Sequence, residues 1–209
     1  MFSSTNLNST MRTICSIMET PVVFLLLVLI AVTIFLIGSL IVEYFTGHRR
    51  LKVELPQLIE TLHASKENIT KNISDSGLLN RHKELLIELT KHSQLDNFTR
   101  ESLAVQLLHE LEDHYDAIVK ISETIIKVGP TLGLLGTLIP LGPGLLALGQ
   151  GDTYTLSQSL LVAFDTTILG LLCAGVGTII STIRMRWYEN YGAMVETLVE
   201  CVLEVEKND

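Results

Sequence analysis

Between Val22 and Val42 the chain runs for 21 residues without a charged side chain. A helix of about 20 apolar residues crosses a hydrocarbon core roughly 30 Å thick, so this block is long enough to span a membrane. Pro21 precedes it and Glu43 closes it. A cleavable leader has a shorter apolar core and a small-residue cleavage site just beyond it. Glu43-Tyr-Phe-Thr46 follows here, so residues 21–43 read as a retained transmembrane helix. Two more blocks lie downstream: Val128 to Gly149 has no charge, and Leu156 to Ile183 has one, Asp165. The link 150–155, Gln-Gly-Asp-Thr-Tyr-Thr, is polar and carries a glycine, as a turn at a membrane surface does. Spans 128–149 and 156–183 therefore form an antiparallel hairpin.

Composition excludes several classes. The chain is 47% hydrophobic but only 6% aromatic, which rules out disorder and a collagen-like fibre. Its 15 Lys+Arg against 23 Asp+Glu give a net charge of −8. With no basic stripe interleaved with aromatics, nucleic acid is excluded as a partner. Cys15, Cys173 and Cys201 are odd in number and far apart, and match neither a metal spacing nor a disulfide framework.

Positive charge orients the spans. His48-Arg49-Arg50 and Lys52 follow the first, Arg184 and Arg186 follow the third, and the 150–155 turn has only Asp152. By the positive-inside rule the flanks at 49–50 and 184–186 are cytoplasmic. That puts residues 1–20 and the C-terminus on opposite sides, outside and inside. Trp187, Tyr188 and Tyr191 fall where interfacial aromatics belong.

Residues 44–127 read as a cytoplasmic helical region with mixed charge, 11 Lys+Arg against 13 Asp+Glu. Leu55, Leu58, Ile59 and Leu62 mark one apolar stripe, and Leu85, Leu86 and Leu89 a second, with a turn at Ser74-Asp-Ser-Gly77 between them. A third stripe, Leu103, Leu107, Leu111, Tyr115, Ile118, Ser122 and Ile125, meets no glycine or proline before Gly129, so this helix continues into the second span. Residues 184–209 form a cytoplasmic C-terminal helix, whose stretch Met194 to Val205 is amphipathic. The expected fold is an all-α membrane protein, three transmembrane helices with long cytoplasmic helical extensions.

The departures from leucine inside the membrane carry the functional information. Gly129, Gly133 and Gly136 clear one surface of the second span for close backbone approach. Pro140 and Pro143 each remove a backbone donor, and the carbonyls they free must be met by protein, water or local readjustment. These features fit a tightly packed, kinked helix or one lining a wet path. In the third span, Asp165 lies about 13 Å below Leu156, near the midplane of a core about 30 Å thick. Thr137 lies about 12 Å from Gly129 on the other strand of the hairpin. Thr137, Asp165, Thr166 and Thr167 thus fall at similar depth. An ionisable group there marks a cavity, partner or pathway, or is a neutral acid bonded to a neighbouring helix. A membrane threonine often bonds only its own preceding turn. Residues 165 and 167 are about 200° apart on a helix, so both cannot point at one axis.

His109-Glu-Leu-Glu-Asp-His114 has ligand-type residues, but its histidines are five apart and miss the one-face spacing of zinc helices. No metal, cofactor or enzyme site is expected.

At the hairpin the sequence resembles the MotA/TolQ/ExbB proton-channel family, in particular its three-span TolQ/ExbB branch. The matching text is Gly133-Leu-Leu-Gly136-Thr137 in the second span and Ala163-Phe-Asp-Thr166-Thr167-Ile-Leu-Gly170-Leu171 in the third. The resemblance is specific over about residues 127–190 and architectural elsewhere. It implies a homopentameric ring around a dimeric single-span ExbD/TolR/MotB-like protein, whose membrane aspartate takes up protons facing Thr137 and Thr167. Proton flow then moves the partner and drives work elsewhere. The branch carries a glutamate five residues before the span-three threonine, where this chain has Val162. Asp165, one turn on and on nearly the same face, is the candidate to replace it. The expected proton pathway is Thr137, Thr167, Thr166 and Asp165, with Gly133, Gly136, Pro140, Pro143 and Gly170 shaping and packing the helices. The competing expectation is a structural oligomeric scaffold without conduction; a small-solute transporter lacks a repeat or pocket.

Overall fold

The computed structural model describes residues 4–45, 69–92 and 94–207. Among the described residues five α-helices follow in order: α1 (Ser4–Glu43), α2 (Ile69–Asp75), α3 (Asn80–Lys91), α4 (Asn97–Gly149) and α5 (Thr153–Lys207). Among the described residues there is no strand. The stripe Leu55, Leu58, Ile59, Leu62 and the charges Arg49, Arg50 and Lys52 lie outside the described residues. α1, α4 and α5 are each long and apolar enough to cross a membrane.

Local sequence explains the helix limits. Asp96 precedes α4 and accepts hydrogen bonds from the Thr99 amide (3.3 Å) and hydroxyl (2.5 Å). Asp152 does the same for α5 with the Thr155 amide (3.0 Å) and hydroxyl (2.5 Å). Each carboxylate satisfies a donor that a helix start leaves open. Between α4 and α5 the chain reverses through Gly151, at φ +81°, a conformation glycine adopts without steric cost. Among the described residues no proline ends a helix. α1 starts at Ser4 rather than at 21 and passes through Pro21, and α4 passes through Pro130, Pro140 and Pro143.

The chain forms two compact units. One comprises the residues up to Gly38 with Ile121–Ser181. In it Val22 and Leu26 of α1 are buried and pack with Leu132, Val128 and Ile139 of α4. Thr33, also buried, donates its hydroxyl to the Leu29 carbonyl at 2.8 Å, so its polar atom is met within its own helix. Most other large side chains here point outward: Phe24, Phe35, Leu138, Leu145, Phe164, Ile168, Leu171 and Ile179 are exposed. Such an apolar exterior belongs in lipid or against other apolar helices.

The other unit comprises Ser39–Lys120 and Thr182–Asp209. Leu85, Leu86 and Leu89 of α3, Leu111, Tyr115 and Val119 of α4, and Val195, Leu198, Val199 and Val202 of α5 make one buried core. Ile73 of α2 and Leu78, beside the bend after Asp75, close it. The amphipathic stretch from Met194 thus returns along the α4 stripe. Tyr188 and Tyr191 are not interfacial side chains: both are buried in this core, because they continue the apolar face of α5 inward. Trp187 alone of the three is half-buried, and it stacks on Tyr44 with ring centroids 5.9 Å apart.

Arg184 is likewise no free flanking charge. It is 2% exposed, its Nε 3.2 Å from a Glu43 carboxylate oxygen and its Nη2 2.8 Å from the Ser39 hydroxyl. The residues that close α1 and follow the third apolar block are one partly buried ion pair.

Candidate functional site

Small residues bring the two arms of the hairpin together. A Cβ built on Gly129 would lie 2.7 Å from the Gly170 carbonyl, and one on Gly133 would lie 3.3 Å from the Thr166 carbonyl and the Thr167 Cα. Gly136 faces the Thr166 side chain at 2.6 Å, and Gly144 faces Ser159 at 2.9 Å. Nearer the other end, Gly177 meets Ile126 and the Ser122 carbonyl at 3.2 and 3.3 Å. Lipid supplies no hydrophobic drive between helices, so this close backbone approach is the main source of attraction between the arms.

The seam fixes the register of the polar groups. Gly133 stands beside Thr166 and Thr167, so Thr137, one turn beyond Gly133, lies close in depth to the polar triplet 165–167. Thr166 is closed into the seam. It is buried, its hydroxyl 3.0 Å from both the Val162 and Ala163 carbonyls of its own helix. Thr167 is half-buried, its hydroxyl 3.2 Å from the Ala163 carbonyl and 3.5 Å from the Gly133 carbonyl across the seam. Thr137 is half-buried and donates to the Leu134 carbonyl at 2.7 Å. A hydroxyl that donates its single proton to a carbonyl still presents lone pairs, so Thr137 and Thr167 can each accept from water or from a protonated acid.

Asp165 is exposed, as are Phe164 and Ile168 beside it. A carboxyl on an apolar helix surface has no place against acyl chains. The geometry thus divides the four expected pathway residues: Thr166 lies inside the hairpin seam, Asp165 on the exterior, and Thr137 and Thr167 between these extremes. Of the expected packing residues, Gly133, Gly136 and Gly170 lie in the seam. Pro140 lines a narrow cleft with Gly136, Ile139 and Val162 of the hairpin and Glu19, Val22 and Val23 of α1.

Glu19 in that cleft escaped the reading of the sequence. It precedes Pro21 in a polar segment, and only the continuation of α1 back to Ser4 places it on a helix beside the hairpin. Among the described residues no group of three or more His, Cys, Asp or Glu side chains could hold a metal. His109 instead pairs with Glu112 at 3.6 Å on the surface.

The sequence profile of the MotA/TolQ/ExbB proton channel family matches residues 65–197, more than half of the chain and the whole of the hairpin. Comparison with curated proteins gives no significant match.

Proposed function

The chain belongs to the MotA/TolQ/ExbB proton channel family and is a multi-pass membrane protein, and from that premise we propose that it is the proton-conducting subunit of a motor complex. It works in the inner membrane as a pentamer around a dimer of a single-span protein with a membrane carboxylate, its N-terminus outside and its C-terminus in the cytoplasm.

Asp165 carries this reading. An ionisable side chain near mid-span, exposed among phenylalanine and leucine on one protomer, needs a neighbouring subunit, a partner helix or water to cover it. A ring supplies all three. Thr137 and Thr167, held at similar depth by the glycine seam, offer oxygen lone pairs to a carboxyl in either protonation state. A chain of such groups keeps water at a depth where lipid excludes it. We assign Thr166 to support of the seam rather than to the path, because its side chain is wedged against Gly136. A proton crossing the membrane potential releases about 2.3 kcal/mol per 100 mV, and that energy moves the partner.

One observation favours the scaffold reading: each of the three threonine hydroxyls bonds a carbonyl of its own helix, as threonines in inert membrane helices do. Native mass spectrometry of the complex, extracted with its single-span partner, separates the two. The motor reading expects one stoichiometry with several copies of this chain around two of the partner; a ring that assembles and persists without any partner speaks for the scaffold.

A further inference from the structure

The unit built from Ser39–Lys120 and Thr182–Asp209 contains a buried polar cluster that the proton path does not use. His82 of α3 has no exposed surface, and its Nε2 lies 2.7 Å from the Tyr115 hydroxyl of α4. Its ring meets Tyr115 and Tyr191 edge to face, with centroids 6.3 and 6.1 Å apart. Tyr115 stacks on Tyr188 at 4.3 Å, and Tyr188 is hydrogen-bonded to Glu43. Two atoms of the cluster are orphaned: His82 Nδ1 and the Tyr191 hydroxyl are buried without a hydrogen-bond partner.

This arrangement suits a neutral imidazole and no other. A charged ring has two N–H donors, and only Nε2 has an acceptor within reach. The titratable groups that bear on its tyrosine neighbours Tyr115 and Tyr191, and on Tyr188 stacked beyond them, are Arg81 on its own helix, Arg184 on α5 and Glu43 on α1, while His114, next to Tyr115 on α4, also feels Arg81. Glu43 is the one anion among them, and it is engaged by Arg184 and Tyr188. An imidazolium at His82 would stand buried and half-satisfied.

We propose that the docking of α3 onto α4 and α5 is an acid-sensitive latch, in which protonation of His82 releases α3 from the core it closes. Leu85, Leu86 and Leu89 leave the core with it, since they share the face that His82 occupies. Burial pushes the imidazole from its ordinary 6.5 down to about 4. A base weakened in this way binds fewer protons docked than released. Docking is therefore strongest above pH 6.5, weakens as the pH falls, and levels off below about 4. Those two values make the docking equilibrium about 20-fold weaker at pH 5 than at pH 7. The latch stands or falls independently of conduction by the hairpin.

Pulsed electron–electron resonance on the full chain in lipid nanodiscs tests it. Nitroxides are attached at the exposed positions Glu84 of α3 and Glu196 of α5 (E84C, E196C) in a background with the native cysteines replaced by alanine. One distance is expected at pH 7.5, with a second, longer population growing reversibly below pH 6. H82F keeps the ring's bulk without its charge and is expected to hold the single distance down to pH 4.5. Should H82F not fold, H82Q, which can still bond Tyr115 and does not titrate, is expected to behave the same way. A single distance in the unsubstituted protein down to pH 4.5 overturns the proposal. So does release of the non-titrating variant at the same pH as the parent.

Discussion

Gly170 lies against Gly129 with no room for a side chain on either: a Cβ on Gly170 would come within 2.5 Å of the Gly129 carbonyl oxygen, and the reverse contact is 2.7 Å. The obstacle is backbone in both directions, so no rotamer change relieves it. G129A or G170A must push the arms of the hairpin apart, at a cost of about 1–3 kcal/mol by analogy with overpacked cores. Gly142 has nothing within 4 Å of its added Cβ and serves as the control. Thermal unfolding in detergent should show both seam variants clearly less stable than the parent and G142A within error of it. Equal behaviour of G170A and G142A would mean that the seam is not as close as described.

The pair of Glu43 with Arg184 should respond unevenly to its two halves. Arg184 is 2% exposed, so E43Q leaves a buried cation without its counter-charge, with an expected loss of roughly 2–4 kcal/mol. Replacing both partners by apolar residues of similar size (E43L with R184M) removes the uncompensated charge and is expected to recover most of that loss. A double-mutant cycle on chemical denaturation measures the coupling. Additive losses would show that the two side chains act separately.

Asp152 should make the start of α5 sensitive to acid. The Thr155 hydroxyl and amide hold its carboxyl below the usual carboxylate range. A carboxyl lowered on folding stabilises the folded end above its unfolded value near 3.8 and ceases to do so as the pH falls through its folded value. D152A is expected to speed amide exchange over Thr153–Leu156 at neutral pH. The difference from the parent should fade as the pH falls below 3.8 and through the lower folded value, where the cap becomes protonated. A gap that persists in strong acid would show that the cap does not depend on charge.

Asp165 should be required for conduction without being required for folding. It is exposed, and asparagine has nearly its size. D165N is expected to leave the complex intact by native mass spectrometry and to lower proton flux at least tenfold. Unchanged flux would leave the carboxyl a structural group.

The glycine seam was legible in the sequence because glycine spacing and helix rise are local quantities. Thr166 was not separable from Thr167 in that way: which of two adjacent threonines faces the other helix depends on the partner's glycine at 136, not on either neighbour. The Glu43–Arg184 pair joins residues 141 apart and looks, in sequence, like two ordinary flanking charges. Tyr188 and Tyr191 were misplaced for a related reason. Aromatics after an apolar block fit a membrane interface equally well as the first turns of a soluble core, and only the matching stripe on α4 decides between them. His82 gave no signal, since a single histidine on an apolar stripe acquires its character from tyrosines 33 and 109 residues further on.

Proton flux into proteoliposomes holding the assembled complex, with T137V and T167V made singly and together, tests the central claim most directly. Valine keeps the volume and removes the hydroxyl. The account expects each single variant to assemble normally and conduct at least tenfold more slowly under an imposed potential, and the double variant to be silent. Parental flux from the double variant in an intact ring would contradict the assignment of the path to these two hydroxyls.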